Sequence, residues 1–215
     1  MVTRAKRARV SHPFFARIFP PLIRAMDAGG MAERRTALLR DLTGTVMDVG
    51  CGTGANFTRY PASVTRVVAV EPEPRLRHLA TDAARVAPVP VDVTDGIAGA
   101  LPAADGSLGA VVVTFVLCSV PDQDEALAEI RRVLRPGGTL CFLEHVRGHS
   151  AGIARTQAVL DATVWPRLAG GCHLGRDTVA AIERAGFAIG DLDRFMLPAA
   201  RSPMSFHVAG HATSP

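Results

Sequence analysis

The sequence has no apolar stretch approaching the ~18–20 residues that span a bilayer, and its start carries no signal-peptide-like apolar segment. It is therefore expected to be soluble and cytoplasmic, with no stable membrane insertion. Its four cysteines, Cys51, Cys118, Cys141 and Cys172, form no C-x-x-C pair. That argues against a disulfide framework or a zinc site and predicts reduced thiols, with no metal. Cys118 in particular reads as a small buried core thiol, because no neighbouring residue would lower its pKa. Internal repeats and low-complexity tracts are absent. The net charge of +4 is modest, and basic residues cluster only in Arg4-Ala5-Lys6-Arg7-Ala8-Arg9. Residues 1–11 thus read as a short solvated basic arm, and no nucleic-acid partner is expected.

What is present suits one well-buried domain over residues 12–215, since 48% of the residues are apolar and 20% charged. From His12 to Asp27, Phe14, Phe15, Ile18, Phe19, Leu22, Ile23 and Met26 recur at helical spacing, with Pro20-Pro21 expected to kink or split the helix. Gly29-Gly30 should break it before a second helix over 31–42. Strands and helices then alternate: strand 45–49, a helix from about Ala55, strand 65–70, helix 74–86, strand 88–93. The continuous apolar run 108–117 suits a strand buried on both faces. An amphipathic helix over 122–134 follows, then a strand over 139–145, helices over 151–165 and 176–185, and strands over 187–195 and 205–210. Alternation of this kind implies right-handed crossovers and a parallel sheet, hence an α/β, Rossmann-like doubly wound fold.

The segment Val46-Met47-Asp48-Val49-Gly50-Cys51-Gly52-Thr53-Gly54 is an apolar strand ending in an acid and three alternating glycines. Such a loop lets backbone N–H groups approach a nucleotide-like ligand. Gly50, Gly52 and Ala55 also satisfy the dinucleotide fingerprint. However, a carboxylate at Asp48 would repel a pyrophosphate, whereas it suits a ligand carrying a sulfonium and an α-amino group, as S-adenosylmethionine does. Gly54 and the C-terminal half of the chain also point away from a nicotinamide enzyme.

An open parallel sheet binds its ligands beyond the carboxyl ends of the strands. Glu71, before Pro72, closes the second strand about 20 residues after the glycines, where an acid can hold both ribose hydroxyls. Asp95-Gly96-Ile97, after the third strand, is placed to meet an adenine. Thr114 and Phe115 end the fourth strand and can line the methionine end.

These residues resemble the class I S-adenosylmethionine-dependent methyltransferases. The matching pieces are 48–54, Val70-Glu71-Pro72, Leu101-Pro102, Asp105-Gly106-Ser107 and Arg132-Val133-Leu134-Arg135-Pro136-Gly137-Gly138. Leu117-Cys118-Ser119-Val120, Glu144-His145-Val146, Val159-Leu160-Asp161 and Gly171-Cys172-His173-Leu174-Gly175-Arg176-Asp177-Thr178 are similar to the group that includes mammalian alkyl-thiol methyltransferases. The resemblance implies S-adenosylmethionine as cofactor. Gly50, Cys51, Gly52, Thr53 and Gly54 would lie at the methionine moiety, Glu71 at the ribose, and the Thr114 backbone against the cofactor. It also implies a seven-stranded sheet, mostly parallel with one antiparallel strand, under a helical N-terminal lid over 12–42. The core would span 45–146, with substrate-side helices and a C-terminal hairpin over 147–215.

Two positions depart from the pattern. Ile97 stands where the family usually has Asp, Glu or Asn, so the adenine contact falls to Asp95 or the backbone. The membrane-anchoring segment of the mammalian members has no counterpart here.

The expected acceptor is a small, fairly apolar molecule, with a thiol favoured. A thiol reacts as thiolate, so a base or cationic group beside it would help, and His145 and His173 are the candidates. Arg176 and Asp177 read as an ion pair or a helix cap. Two alternatives remain open: an O-, N- or C-methyltransferase of a phenol, quinone or lipid headgroup, and a non-catalytic cofactor-binding module. The oligomeric state is left open.

Overall fold

The computed structural model describes residues 12–198 and 202–215, so the basic arm lies outside the described residues. Seven strands form one sheet in the order β3-β2-β1-β4-β5-β7-β6. They are β1 (Gly44–Val49), β2 (Val64–Val70), β3 (Val91–Thr94), β4 (Leu108–Thr114), β5 (Leu134–His145), β6 (Ala188–Met196) and β7 (Phe206–Thr213). The pairings among β1–β5 are parallel, while β7 runs antiparallel to both β5 and β6. The expected hairpin and single reversed strand are therefore present. Strand order reverses between β1 and β4, and this opens a crevice at their carboxyl ends.

Burial follows the apolar runs. In β4, Val111, Val112 and Val113 are each fully buried, because one face packs on α4 (Gln123–Val133) and α7 (Thr178–Arg184), and the other joins the cluster that holds Met31, Leu38, Leu39 and Leu42. Helix α4 starts at Asp122, whose carboxylate accepts from the N–H groups of Asp124 and Glu125, and Arg131 and Arg132 sit in its last turn. Glu73 caps α3 (Pro74–Ala84) and Ser150 caps α5 (Ala151–Ala162) in the same way. A short helix, α6 (Trp165–Leu168), follows α5.

Two local expectations are corrected. Of the kink or split expected at Pro20-Pro21, the split does not occur: helix α1 (Phe15–Met26) runs through both prolines as one element. The prolines already have helical φ, and they forgo only the bonds to carbonyls one turn back, near the helix start. The helix expected from Ala55 is reduced to a 3-10 turn at Phe57–Arg59. Pro61 follows at once, and the side chains of Asn56 and Tyr60 both turn inward to Asp48. The break at Gly29-Gly30 is a five-residue π turn, Asp27–Met31, with Gly30 at φ +110°, before α2 (Ala32–Leu39).

Candidate active site

The glycine loop after β1 is shaped by close contacts. Gly50, Gly52 and Gly54 have φ of +65°, +58° and +79°. A Cβ on Gly50 would stand 2.6 Å from the Val116 side chain, and one on Gly54 2.6 Å from the Phe57 ring. Side chains at these positions are excluded by both space and backbone conformation. Above the loop, the Phe19 ring of α1 would stand 3.0 Å from a Cβ at Gly52, and Phe15 packs on Gly170. Helix α1 thus lies over the glycine loop, and Ile18 and Leu22, with Phe14 just before the helix, are exposed.

Asp48 lies beneath the loop rather than at its surface. It is fully buried; Oδ2 accepts from Asn56 Nδ2 at 3.1 Å and from the Tyr60 hydroxyl at 2.9 Å, while Oδ1 has no partner among the described residues. Burial pushes its carboxyl up to about 6, against the two hydrogen bonds and the charge of Arg35. Arg35, itself 2% exposed, donates to Asn56 Oδ1, Thr114 Oγ1 and Asp27. The unpartnered Oδ1 and the side-chain-free cradle fit a ligand with a cationic amino group.

Glu71 is buried at the end of β2. Its carboxylate accepts from the N–H of Gly52 at 2.8 Å and of Glu73 at 2.9 Å. It therefore ties the glycine loop to β2 while keeping lone pairs for a diol. Burial raises its pKa to about 7 despite those donors. Pro72 follows, half-buried. Arg77 donates to the carbonyls of Glu71 and Pro72 and pairs with Asp95 at 3.0 Å, so Asp95 is engaged at the rim. Gly96 is buried against Val70, and Ile97 forms an isolated bridge with Ala100.

At the end of β4, Phe115 is the one non-glycine residue with positive φ among the described residues, at +61°. Such a conformation persists only where the surroundings over-determine it. Here they do so through Glu144, a fully buried residue of β5 whose carboxylate accepts from the N–H groups of Val116, Leu117 and Cys118 at 2.9, 2.9 and 3.0 Å. The Phe115 ring consequently turns onto His145 and His207, with centroids 5.0 and 5.7 Å away.

His145 and His207 face each other across the β5–β7 pair, 4.5 Å apart. His207 Nδ1 donates to the Ser205 carbonyl, which leaves Nε2 as a buried lone pair without a partner among the described residues. Burial, reinforced by the charge of His145, pulls its pKa down to about 3, so this nitrogen accepts hydrogen bonds and stays unprotonated. His173 is held by its own loop: Nδ1 donates to the Gly171 carbonyl and its N–H to the Cys118 carbonyl. Asp177 caps α7, but Arg176 makes a different contact from the one expected, donating to the carbonyls of Leu117 and Val120 at 2.7 Å each.

Cys118 is the small buried thiol expected, and its own pKa is raised rather than lowered. It is fully buried, yet its sulfur lies beside Cys172, whose own sulfur is 3.7 Å from His145 Nδ1. The Cys118 thiol donates to Cys172, and with His145 alongside this holds the Cys172 thiol far below its usual range; that of Cys118 is driven up. Phe115, Leu160, Trp165 and Ala169 wall this pocket. Sequence reading also passed over Arg35, Asn56, Tyr60 and His207. A cleft of about 710 Å³ opens elsewhere, between α2 and the β6–β7 edge, and contains none of the glycine-loop residues.

A sheet of this order with an acid-glycine loop on β1 and a buried acid ending β2 defines a methyltransferase of the Rossmann-like class. Comparison with known proteins agrees. A methyltransferase domain family matches residues 47–142. The human thiol S-methyltransferase TMT1A is 38% identical over 182 residues, 78% of this chain and 70% of that one. Rat thiol S-methyltransferase TMT1B is 34% identical over 215 residues, covering 93% and 87%. The structure of an S-adenosylmethionine-dependent methyltransferase from Thermotoga maritima superposes with a TM-score of 0.69 over 94% of this chain and 98% of that one, at 21% identity. The chain belongs to the S-adenosylmethionine-dependent methyltransferases, which implies S-adenosylmethionine as its methyl donor. No helix among the described residues is long and apolar enough to cross a membrane.

Proposed function

We propose that this protein is a thiol S-methyltransferase, acting in the cytoplasm on a small, fairly apolar thiol. The observation that carries the reading is the 38% identity to a human thiol S-methyltransferase over 78% of the chain. The side chains around the candidate histidine support it: the Phe115 ring lies on His145, and Phe115, Leu160 and Trp165 pack as apolar surface against Cys118, Cys172 and Leu174. The cytoplasmic placement is supported by four cysteines that are all buried and unbridged.

The donor supplies a methyl carbon already activated by a sulfonium. Alignment and exclusion of water are then the main tasks left to the protein. In this reading the glycine loop holds the methionine end, Glu71 accepts from the ribose hydroxyls, Asp95-Gly96-Ile97 flanks the adenine, and Thr114-Phe115 closes the reacting end. Phe19 of α1 covers the loop, Phe15 packs beside it over Gly170, and together they keep water out. The acceptor thiol releases its proton to solvent, its sulfur forms a bond to the methyl carbon, and the carbon–sulfonium bond breaks, its electron pair leaving with the donor as a neutral thioether. His145 is the group that favours the thiolate. His173 braces the Cys172 loop against β4 and sets the pocket wall.

The test uses a donor with a deuterated methyl group and a simple alkyl thiol. The expected product is the alkyl thioether carrying all three deuterons. Label on oxygen, nitrogen or carbon acceptors, with none on sulfur, would reject the thiol assignment.

A further inference from the structure

Cys118, His145 and Cys172 come from three different elements: the loop after β4, the end of β5 and the loop between α6 and α7. Each offers one ligand atom, and these atoms lie within 4.8 Å of one another. The Cys172 sulfur and His145 Nδ1 are 3.7 Å apart. A tetrahedral zinc ion with Zn–S of about 2.3 Å and Zn–N of about 2.0–2.1 Å needs a sulfur–nitrogen edge of about 3.5 Å and a sulfur–sulfur edge of about 3.8 Å. The existing arrangement therefore meets such an ion with sub-ångström to ångström adjustments and no change of backbone.

The supports are rigid. The Cys118 N–H is fixed by Glu144 and its carbonyl by the His173 N–H, the Cys172 N–H donates to the Ala169 carbonyl, and the His145 ring is packed against Phe115 and His207. Two sulfurs and one imidazole are the ligand set that selects thiophilic ions. Three protein ligands, rather than four, are the pattern of sites that keep a position for substrate. His145 is half-buried, so the trio is not sealed on all sides.

We propose that Cys118, His145 and Cys172 bind a thiophilic divalent cation of the zinc class, with a fourth position that takes the sulfur of the acceptor. The second half rests on the thiol-methyltransferase reading above; the binding of the cation does not. Both cysteine thiols lose their protons to solvent as the ion binds. The acceptor thiol does the same, and its sulfur occupies the fourth position. In transfer that sulfur releases the ion as it bonds to the methyl carbon, and the carbon–sulfonium electron pair departs with the leaving thioether. Cation coordination would hold the acceptor as thiolate in a pocket otherwise walled by apolar groups.

The experiment is titration of the full chain, reduced and stripped with a chelator, with cobalt(II) as a spectroscopic stand-in for zinc. One equivalent should bind and give a thiolate-to-cobalt charge-transfer band with tetrahedral visible bands, and zinc should erase both. C118S and C172S should each lose charge-transfer intensity and weaken binding at least tenfold. C141S, which alters a cysteine inside the sheet, should match the wild type. Absence of the band in the reduced wild type, or a band that survives C172S, overturns the site.

Adding ethanethiol to the cobalt form should intensify the charge-transfer band. An unchanged spectrum, with the metal still bound, overturns the acceptor position while leaving the cation site. Failure of the thiol-methylation assay with a normal cobalt spectrum would instead reject the function and not the site.

Discussion

Replacing Glu71 by alanine perturbs two properties that can be read separately. The carboxylate accepts from two buried N–H groups, those of Gly52 and Glu73. Leaving both without an acceptor costs about 1–3 kcal/mol each. Against this stands the penalty of the buried charge. The folded-state pKa is raised from 4.5 to about 7, chiefly by burial. A raised acid pKa means that the folded state binds the proton more tightly than the unfolded chain. Its contribution to stability is therefore full below pH 4.5 and is lost as pH climbs through 7, a change of about 3 kcal/mol.

The variant lacks that slope. Urea unfolding at pH 4.5 and pH 8 should show the stability gap between wild type and Glu71→Ala shrinking by about 3 kcal/mol at the higher pH. Cofactor binding should move differently. Two ribose hydroxyls donating to an ionised carboxylate are worth about 1.5–3 kcal/mol each, so calorimetric titration with S-adenosylhomocysteine at pH 8 should show binding weakened about 10²–10⁴-fold. Wild-type affinity should also fall as pH drops below 7, where the carboxylate takes up its proton. Binding within threefold of wild type would remove Glu71 from the cofactor site, and a pH-independent stability gap would refute the buried-charge argument.

Substitutions at three further positions test the scaffold. At Phe115, with φ of +61°, glycine should be tolerated better than alanine by about 1 kcal/mol, because only glycine adopts that conformation without strain; equal stabilities by urea unfolding would contradict it. Glu144→Ala abandons three buried N–H groups and should lower stability by at least about 3 kcal/mol, read as a fall in the urea midpoint, whereas a loss under 1 kcal/mol would show that Glu144 does not fix the β4–α4 loop. Arg35→Ala leaves Asn56 Oδ1 without its buried donor, while Asp27 keeps its pair with Arg59, and should cost about 1–3 kcal/mol by the same assay; Lys at this position should recover less than half, because a single ammonium cannot span Asp27, Asn56 and Thr114.

The sheet was legible because its strands carry their own signals. The valines of β4 are buried on both faces and read as one uninterrupted apolar run, and the acids and glycines that end β1 and β2 mark strand ends directly. The segment after Gly54 was less readable. Its composition tolerates a helix, and what prevents one is the inward turn of Asn56 and Tyr60 to Asp48, a tertiary contact.

The same limit hid the Cys118–His145–Cys172 group. Its members are 27 residues apart in each step, far outside any local ligand spacing, and they meet only because β4 and β5 end side by side with the α6–α7 loop folded over them. Arg35 offered no signal either, since an arginine on a polar helix gives no hint that it will be 2% exposed between Asp27 and Asn56. Strand order carried one usable clue: histidines and cysteines at the carboxyl ends of adjacent strands share a crevice whatever their spacing.

The central claim is transfer of a methyl group to sulfur. Its most direct test is the rate of S-adenosylhomocysteine formation by the purified chain with S-adenosylmethionine, compared across alkyl thiols, phenols and amines of matched size. The kcat/KM for the thiols should be at least tenfold above that for any phenol or amine. Turnover of phenols or amines with thiols inert would contradict it.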